Sequence, residues 1–172
     1  AWNYYRVTQD KEWLKTTGWP LLQETANFWA SRVERKGLGH FEINDVVAAD
    51  EWAENIDNNA FTNAAAIVNL RAANKAASLL GLPTNPDWEL VAANIPILTM
   101  KDAQGKIITQ EHASYHGEGI KQADVNLLAY PLHIIHDTAQ IKRDLDYYSS
   151  RVPNQGTPAM TQAIFSLLYA RL

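Results

Sequence analysis

Two short stretches carry residue types that chemistry can use. In "VVAADEWAENIDNNAFTN", residues 46–63, the neighbouring carboxylates Asp50 and Glu51 lie between small apolar residues and an Asn-rich run. Such a pair is either an ordinary solvated loop or the acid of an active site. In "GIKQADVNLLAYPL", residues 119–132, the polar residues Lys121, Gln122 and Asp124 precede core-like Val125, Leu128 and Leu132. That pattern predicts a helix from Lys121 to about Ala129, with its polar opening facing whatever the preceding loop borders. Lys-Gln at a helix start reads, taken alone, as solvated surface.

Other candidates have simpler readings. His133, His136 and Asp137 have the i, i+3, i+4 spacing of metal ligands, but Pro131 breaks any helix just before them and no further ligand cluster accompanies them. His112 and His116 border the Gly-containing loop "EHASYHGEG" and read first as solvated histidines. "DNNAFTN" is rich in oxygens but lacks the spacing of a calcium loop, and Asp57 or Asn58 as a helix cap explains it. Gly117 and Gly119 permit a tight turn and do not make a phosphate loop without the required Lys and Ser/Thr. The expectation is no metal and no cofactor.

The elements that must position these residues are mostly helical. Asp10 to Thr17 reads as a short helix ended by Gly18. Pro20 then sits in a first helical turn, and Leu22, Ala26, Trp29 and Val33 form one apolar stripe on a helix ending near Lys36 and Gly37. "GLGHFEINDVVAA" reads as loop with short extended structure. Asn59 to Leu80 is Ala-rich and helical, closed by Gly81. Asn85, Pro86, Asp87 and Glu89 open another helix, which stops before Pro96.

Residues 97–110, "ILTMKDAQGKIITQ", place β-branched residues on both sides of a polar turn and predict a β-hairpin. Asp137 to Val152 reads as a helix with capping-box spacing at Asp137 and Gln140 and a stripe of Ile141, Leu145, Tyr148 and Val152. A last helix opens at Thr157 and Pro158. The class is all-α with short β-hairpin excursions.

Bulk properties bound the function. The 172 residues, 47% hydrophobic and 20% charged, suit one domain, 1–172, with a real core. A net charge of -4 with scattered basic residues offers no footprint for nucleic acid or an acidic membrane surface. Cysteine is absent, which removes disulfides and thiolate metal sites. No apolar run has the length of a membrane span, and compartment is left undetermined. The chain starts without Met and is still in helical periodicity at Leu172, so a larger protein is expected.

Together, "ADEWAENIDNNAFTN" and "IKQADVNLLAYPL" resemble glycoside hydrolase family 65. This is the family of maltose, kojibiose and trehalose phosphorylases and of acid-trehalase-like and kojibiose-hydrolase-like α-glucosidases. The likeness extends upstream through "GWPLLQETANFWASRVE" and downstream to "GTPAMTQAIF", covering nearly the whole chain. It implies an (α/α)6 barrel, of which this sequence supplies about half.

Carried over residue by residue, the resemblance makes Glu51 the general acid. An acid that protonates a glycosidic oxygen must still hold its proton near neutral pH, and Ala48, Ala49, Trp52 and Asp50 are expected to supply the apolar and like-charged surroundings that favour this. Ala49 stands where the family often has Pro, which predicts a less rigid loop. Lys121 and Gln122 match the family's pair that hydrogen-bonds the inner glucose, Asp50 and Trp52 are substrate-binding candidates, and Asp124 is as much a candidate for holding the helix start or Lys121 as for touching substrate.

The family's phosphorylases carry a Ser-rich phosphate motif at the start of a late helix, and the matching residues here are "GTPAMT", as in the hydrolase branch. Ser149 and Ser150 fall at a helix end instead. The hydrolytic base, the second carboxylate of an inverting mechanism, is expected beyond Leu172.

Three functions stay open. One is part of an inverting α-glucosidase acting on a kojibiose, trehalose or glucosyl-galactose type of α-glucoside. Another is a phosphorylase of the same family. The last is a catalytically silent helical fragment that binds a partner through an open half-barrel face. Because part of a barrel leaves apolar surface uncovered, self-association or association with the missing barrel half is expected under each.

Overall fold

The computed structural model describes every residue of the chain except Asn154. It is mostly helical with two small β-hairpins, and it divides into two compact units, residues 1–42 with 65–95 and residues 43–64 with 96–172.

The first unit begins with α1 (Trp2–Thr8), which ends on Gln9 in a left-handed conformation. α2 (Lys11–Trp13) is capped by Asp10, whose carboxylate accepts from the Trp13 amide at 2.9 Å. The stop expected at Gly18 is absent. The chain passes from α2 through a π-helical stretch, Leu14–Gly18, directly into α3 (Trp19–Arg32). Gly18 is there for space: a Cβ would lie 2.7 Å from a ring carbon of Trp13.

Of the expected stripe, Leu22 and Ala26 in α3 and Val33 just after it are buried, and Trp29 is half-buried. The helix stops short of Lys36, because Glu34–Gly37 forms β1, antiparallel to β2 (His40–Glu42). α4 (Ala60–Leu79) buries Ala66, Ala72, Ala73, Ala76 and Ala77 around Leu70. Small side chains let neighbouring backbones pack closely at interior density. Gly81, at φ 70°, follows the helix end as predicted. In α5 (Pro86–Asn94) the Asn85 side chain caps the Asp87 amide at 3.0 Å.

The second unit holds a hairpin of β3 (Thr99–Lys101) and β4 (Ile107–Thr109), with Met100 opposite Ile108. α6 (Thr138–Ser149) packs on β4: the buried Asp144 carboxylate accepts from the Thr109 amide and hydroxyl, both at 2.8 Å, and the Tyr148 hydroxyl donates to the Thr109 carbonyl. Asp137 caps the Ala139 amide, but Gln140 does not close the expected capping box. It donates to Asp144 instead.

α7 (Ala159–Arg171) contributes Phe165 and Leu168 to a core shared with Ala60, Ala64, Tyr115, Ile120, Val125, Leu128, Leu145 and Tyr148. Each large side chain fully buried in this way contributes about 1.5–3 kcal/mol. No helix among the described residues is long and apolar enough to cross a membrane.

Candidate active site

The stretch 46–56 is a tight excursion closed on itself. Val46 and Ile56 exchange both backbone hydrogen bonds, Ala48 donates to Ala53, and Ala53 donates to the Asp50 carbonyl at 3.0 Å. Asp50 therefore opens a turn whose central residues are Glu51 and Trp52. Its side chain completes that turn by accepting from the Trp52 amide at 3.2 Å, the usual service of an Asp at this position. Ala48, Ala53 and Ile56 form a small apolar floor beneath the turn. Glu51 and Trp52 project from the tip, the Glu51 side chain 58% exposed and Trp52 57% exposed.

The helix expected from Lys121 is absent. Only Val125–Leu128 coils, as a 3-10 turn. The backbone here is held by side chains from elsewhere: Lys121 N–H donates to Asp50 Oδ1 at 2.9 Å and Ala123 N–H to the Thr161 hydroxyl at 3.3 Å. The segment takes an irregular, bent course past the turn, and its Asp124 ties it to the chain around Ala49. Asp124 Oδ2 accepts from the Ala49 amide and from Asn59 Nδ2, both at 3.0 Å, and Oδ1 accepts from the Phe61 amide at 3.3 Å.

Ala49 and Asp50 are thus tied to Asp124 and Lys121 by two crossed bonds between side chain and backbone. Burial pushes the Asp124 carboxyl up to about 6, even though the bonds from Asn59, Phe61 and Ala49 all favour its charged form.

One consequence is that Lys121 Nζ meets Glu51 Oε2 at 2.5 Å, across a sequence separation of 70 residues. The structure brings together Asp50, Glu51, Lys121 and Asp124. Asp50, 2% exposed, spends one carboxylate oxygen on the Lys121 and Trp52 amides. Gln122 is buried, with its amide oxygen lacking any protein partner. The apolar enclosure expected for Glu51 is not found: Ala48 and Ala53 lie under the turn while Glu51 stands at its exposed tip, paired with a cation.

The helix cap expected at Asp57 or Asn58 is Asn59, whose Oδ1 accepts from Thr62 N at 2.9 Å while its Nδ2 reaches Asp124 and the Glu111 carbonyl.

Glu111 was not singled out by residue type or spacing, yet it is buried to 1% exposure with neither carboxylate oxygen bonded to protein. An acidic residue at the mouth of a Gly-containing loop reads as surface. It lines a recess of about 280 Å³ with Asp50, Trp52, Glu54, His112, Tyr115 and Glu118. Burial first, then the nearby Asp124, Asp50 and Glu118 charges, raise the Glu111 carboxyl to about 9. Burial lowers the His112 imidazole. At Glu118 burial acts upward, but the backbone amides of Glu118, His116 and Gly117 outweigh it and hold the carboxylate below its ordinary range. No group of three or more His, Asp or Glu among the described residues is arranged to hold a metal ion.

Comparison with known proteins places this chain in a family. Over all 172 residues the chain is 64% identical to a kojibiose hydrolase of Mucilaginibacter mallensis and 59% identical to one of Flavobacterium johnsoniae. It is 36% identical over 168 residues to the periplasmic/secreted acid trehalase of Candida glabrata. It covers 25% of each kojibiose hydrolase and 13% of the trehalase, so the chain spans about a quarter of the length of the kojibiose hydrolases it matches.

A solved structure titled a putative kojibiose phosphorylase from human microbiome shares the fold at a TM-score of 0.79 and 15% identity, over 99% of this chain and 29% of that one. Residues 1–118 match the glycosyl hydrolase family 65 central catalytic domain, and the chain belongs to that family.

Proposed function

We propose that this chain is the acid-bearing part of an inverting α-glucosidase that hydrolyses an α-glucosyl disaccharide of the kojibiose type, and that it contributes about half of an (α/α)6 barrel. The observation that carries the proposal is the meeting of Glu51 with Lys121 from distant parts of the chain, in a network that fixes both backbones. The high identity to two kojibiose hydrolases supports the choice of substrate.

In this mechanism Glu51 delivers its proton to the glycosidic oxygen as the bond to the anomeric carbon breaks. Water attacks that carbon from the opposite face and gives its proton to a second carboxylate, which an inverting geometry sets roughly 6.5–9.5 Å from the acid. That base is supplied from beyond Leu172. Lys121 and Gln122 hold hydroxyls of the glucosyl ring. The unpartnered Gln122 oxygen suits this role, since a buried acceptor without a partner costs about 1–3 kcal/mol until a donor arrives. Lys121 exchanges its bond to Glu51 for a sugar hydroxyl, and the freed, solvent-exposed carboxylate takes up a proton from water before it serves the glycosidic oxygen. Trp52, exposed at the tip, offers a sugar-facing wall.

The test uses the full encoded polypeptide that contains this chain. Kojibiose is expected to yield glucose without added phosphate. Glu51→Gln is expected to lower kcat by about 10³-fold, within the range for a general acid. An α-glucosyl fluoride, whose leaving group needs no proton, is expected to lose far less. Undiminished kojibiose hydrolysis by Glu51→Gln removes Glu51 from the acid's role. Release of glucose 1-phosphate, dependent on added phosphate, replaces the hydrolase reading with a phosphorylase.

A further inference from the structure

Asn59 does more than start a helix. It is wholly buried, and its amide uses every hydrogen-bonding position it has. Oδ1 accepts from the Thr62 amide at 2.9 Å and from the Thr62 hydroxyl at 2.8 Å, which is the work of a cap at the opening of α4. Nδ2 donates to the Glu111 carbonyl at 3.2 Å and to Asp124 Oδ2 at 3.0 Å. The cap alone does not call for this residue, since Asp and Ser serve there as well as Asn. What the amide adds is a second end that carries two donors.

Asp124 leads from that second end to the acid turn. The oxygen that accepts from Asn59 is the one that accepts from the Ala49 amide at 3.0 Å, two residues before Glu51. Ala49 is what Asp124 holds, and Asn59 is a group that holds Asp124, being itself fixed from behind by Thr62 and by the Glu111 carbonyl. The other grip on the Asp124 carboxyl from the start of α4, the Phe61 amide, is longer, at 3.3 Å. Burial disfavours the carboxylate form of Asp124, and the Asn59 bond is the largest of the effects that oppose it. A protonated carboxyl spends part of its acceptor capacity, so loss of Asn59 weakens the Ala49 bond besides loosening its partner. The Lys121 segment keeps ties of its own, from the Lys121 amide to Asp50 and from the Ala123 amide to Thr161.

We propose that Asn59 is a positioning residue for the proton donor: through Asp124 and the Ala49 amide it fixes the turn that carries Glu51, and its loss slows the reaction where the leaving group must be protonated. The inference rests on the reading of Glu51 as the acid.

The experiment uses the full encoded polypeptide and two substrates, kojibiose and an α-glucosyl fluoride, with Asn59→Ser made in the parent and in the Glu51→Gln background. Serine keeps a cap for α4 and is too short to replace the two Nδ2 bonds. In the parent, kcat on kojibiose is expected to fall by about 10–100-fold, the scale set by misplacing a catalytic group by up to about 1 Å, with KM and turnover of the fluoride within a few-fold. In the Glu51→Gln background Asn59→Ser is expected to add no further loss on kojibiose, because an acid that is absent has no position to lose. A role confined to folding lowers both substrates together and adds its loss in either background.

Asn59→Asp serves if the Ser form does not fold. It has the same shape and caps as well, but turns a second carboxylate on Asp124 where the donor stood, and the same selective loss is expected of it. Equal losses on the two substrates, an additive loss in the Glu51→Gln background, or undiminished kojibiose turnover in the Asn59 forms each overturns the inference. Any of these beside the expected loss in Glu51→Gln alone leaves the acid assignment standing. Undiminished kojibiose turnover in Glu51→Gln is instead the failure of that assignment, whatever Asn59→Ser does.

Discussion

The two units are held by different kinds of bond. In the unit of residues 1–42 and 65–95, the named ion pairs Arg35–Asp87 and Arg71–Glu89 are exposed, and pairs of that kind contribute about 0–1 kcal/mol. Stability there comes from helices with local caps and apolar faces. In the unit of residues 43–64 and 96–172, three buried aspartates accept backbone amides from distant sequence: Asp50 from Lys121, Asp124 from Ala49 and Phe61, and Asp144 from Thr109. The lesson is physical. Where an amide lies in an irregular segment, at a helix start or at a strand end, no ladder satisfies it, and buried carboxylates do so through stronger, charge-assisted bonds.

The sharpest break of this contrast is Asp124→Ala. It leaves the partly buried Ala49 and Phe61 amides without an acceptor and Asn59 Nδ2 with the Glu111 carbonyl alone. At about 1–3 kcal/mol for each stranded donor, partly offset by no longer burying a carboxylate, the expected loss is roughly 3 kcal/mol in urea unfolding. Kojibiose hydrolysis by the full polypeptide is expected to fall as well, because Ala49 no longer fixes the turn that carries Glu51. A loss under about 1 kcal/mol with full activity shows that the brace is redundant.

The next test concerns pH. Glu111 has an ordinary value of 4.5 and is raised to about 9 in the fold, facing Asp124, Asp50 and Glu118. Between those values the folded state binds the proton more tightly than the unfolded chain. Its contribution to stability is therefore full below about pH 4.5 and is lost as pH rises towards 9. Asp124, raised to about 6, adds the same sign over the lower part of that window. In thermal melts the parent is expected to lose stability across the window more steeply than Glu111→Gln, which has no proton to lose. Parallel curves for the two proteins contradict the assignment.

How far sequence went depends, in both units, on whether an element is held by local or by long-range bonds. α4, α5 with its Asn85 cap, the α3 stripe and the hairpin at 99–109 obey local rules, so periodicity, caps and turn residues predict them. The stop at Gly18 misled because the glycine answers to the Trp13 ring rather than to a helix end.

At the site, the pairing of Glu51 with the Lys121 segment was legible only through motif resemblance. The shape of that segment was not, since its partners, Asp50 at the Lys121 amide and Thr161 at the Ala123 amide, come from elsewhere in the chain. Glu111 was invisible for a related reason. Nothing in "TQEHASYHGEG" marks one acid as buried, because its burial is imposed by Asn59, Ala60 and the recess around it.

The mildest test lies in the other unit. Asn85 accepts from the Asp87 amide, and Asn74 brackets its backbone, donating to the Asn85 carbonyl at 3.0 Å and accepting from its amide at 2.8 Å. Asn85→Ala removes the cap and leaves the bracket intact, so the expected cost is about 1 kcal/mol, that of an ordinary N-cap. Asn85→Asp keeps an acceptor and adds charge at the favourable end of the helix dipole, and it is expected to hold or slightly raise the melting temperature. Neither change should alter hydrolysis, since both act on a helix start stabilised within its own unit. If Asn85→Ala costs as much as Asp124→Ala, or lowers activity with it, then local caps and long-range carboxylate braces are not separate devices here, and the division between the two units fails as an account of what positions Glu51.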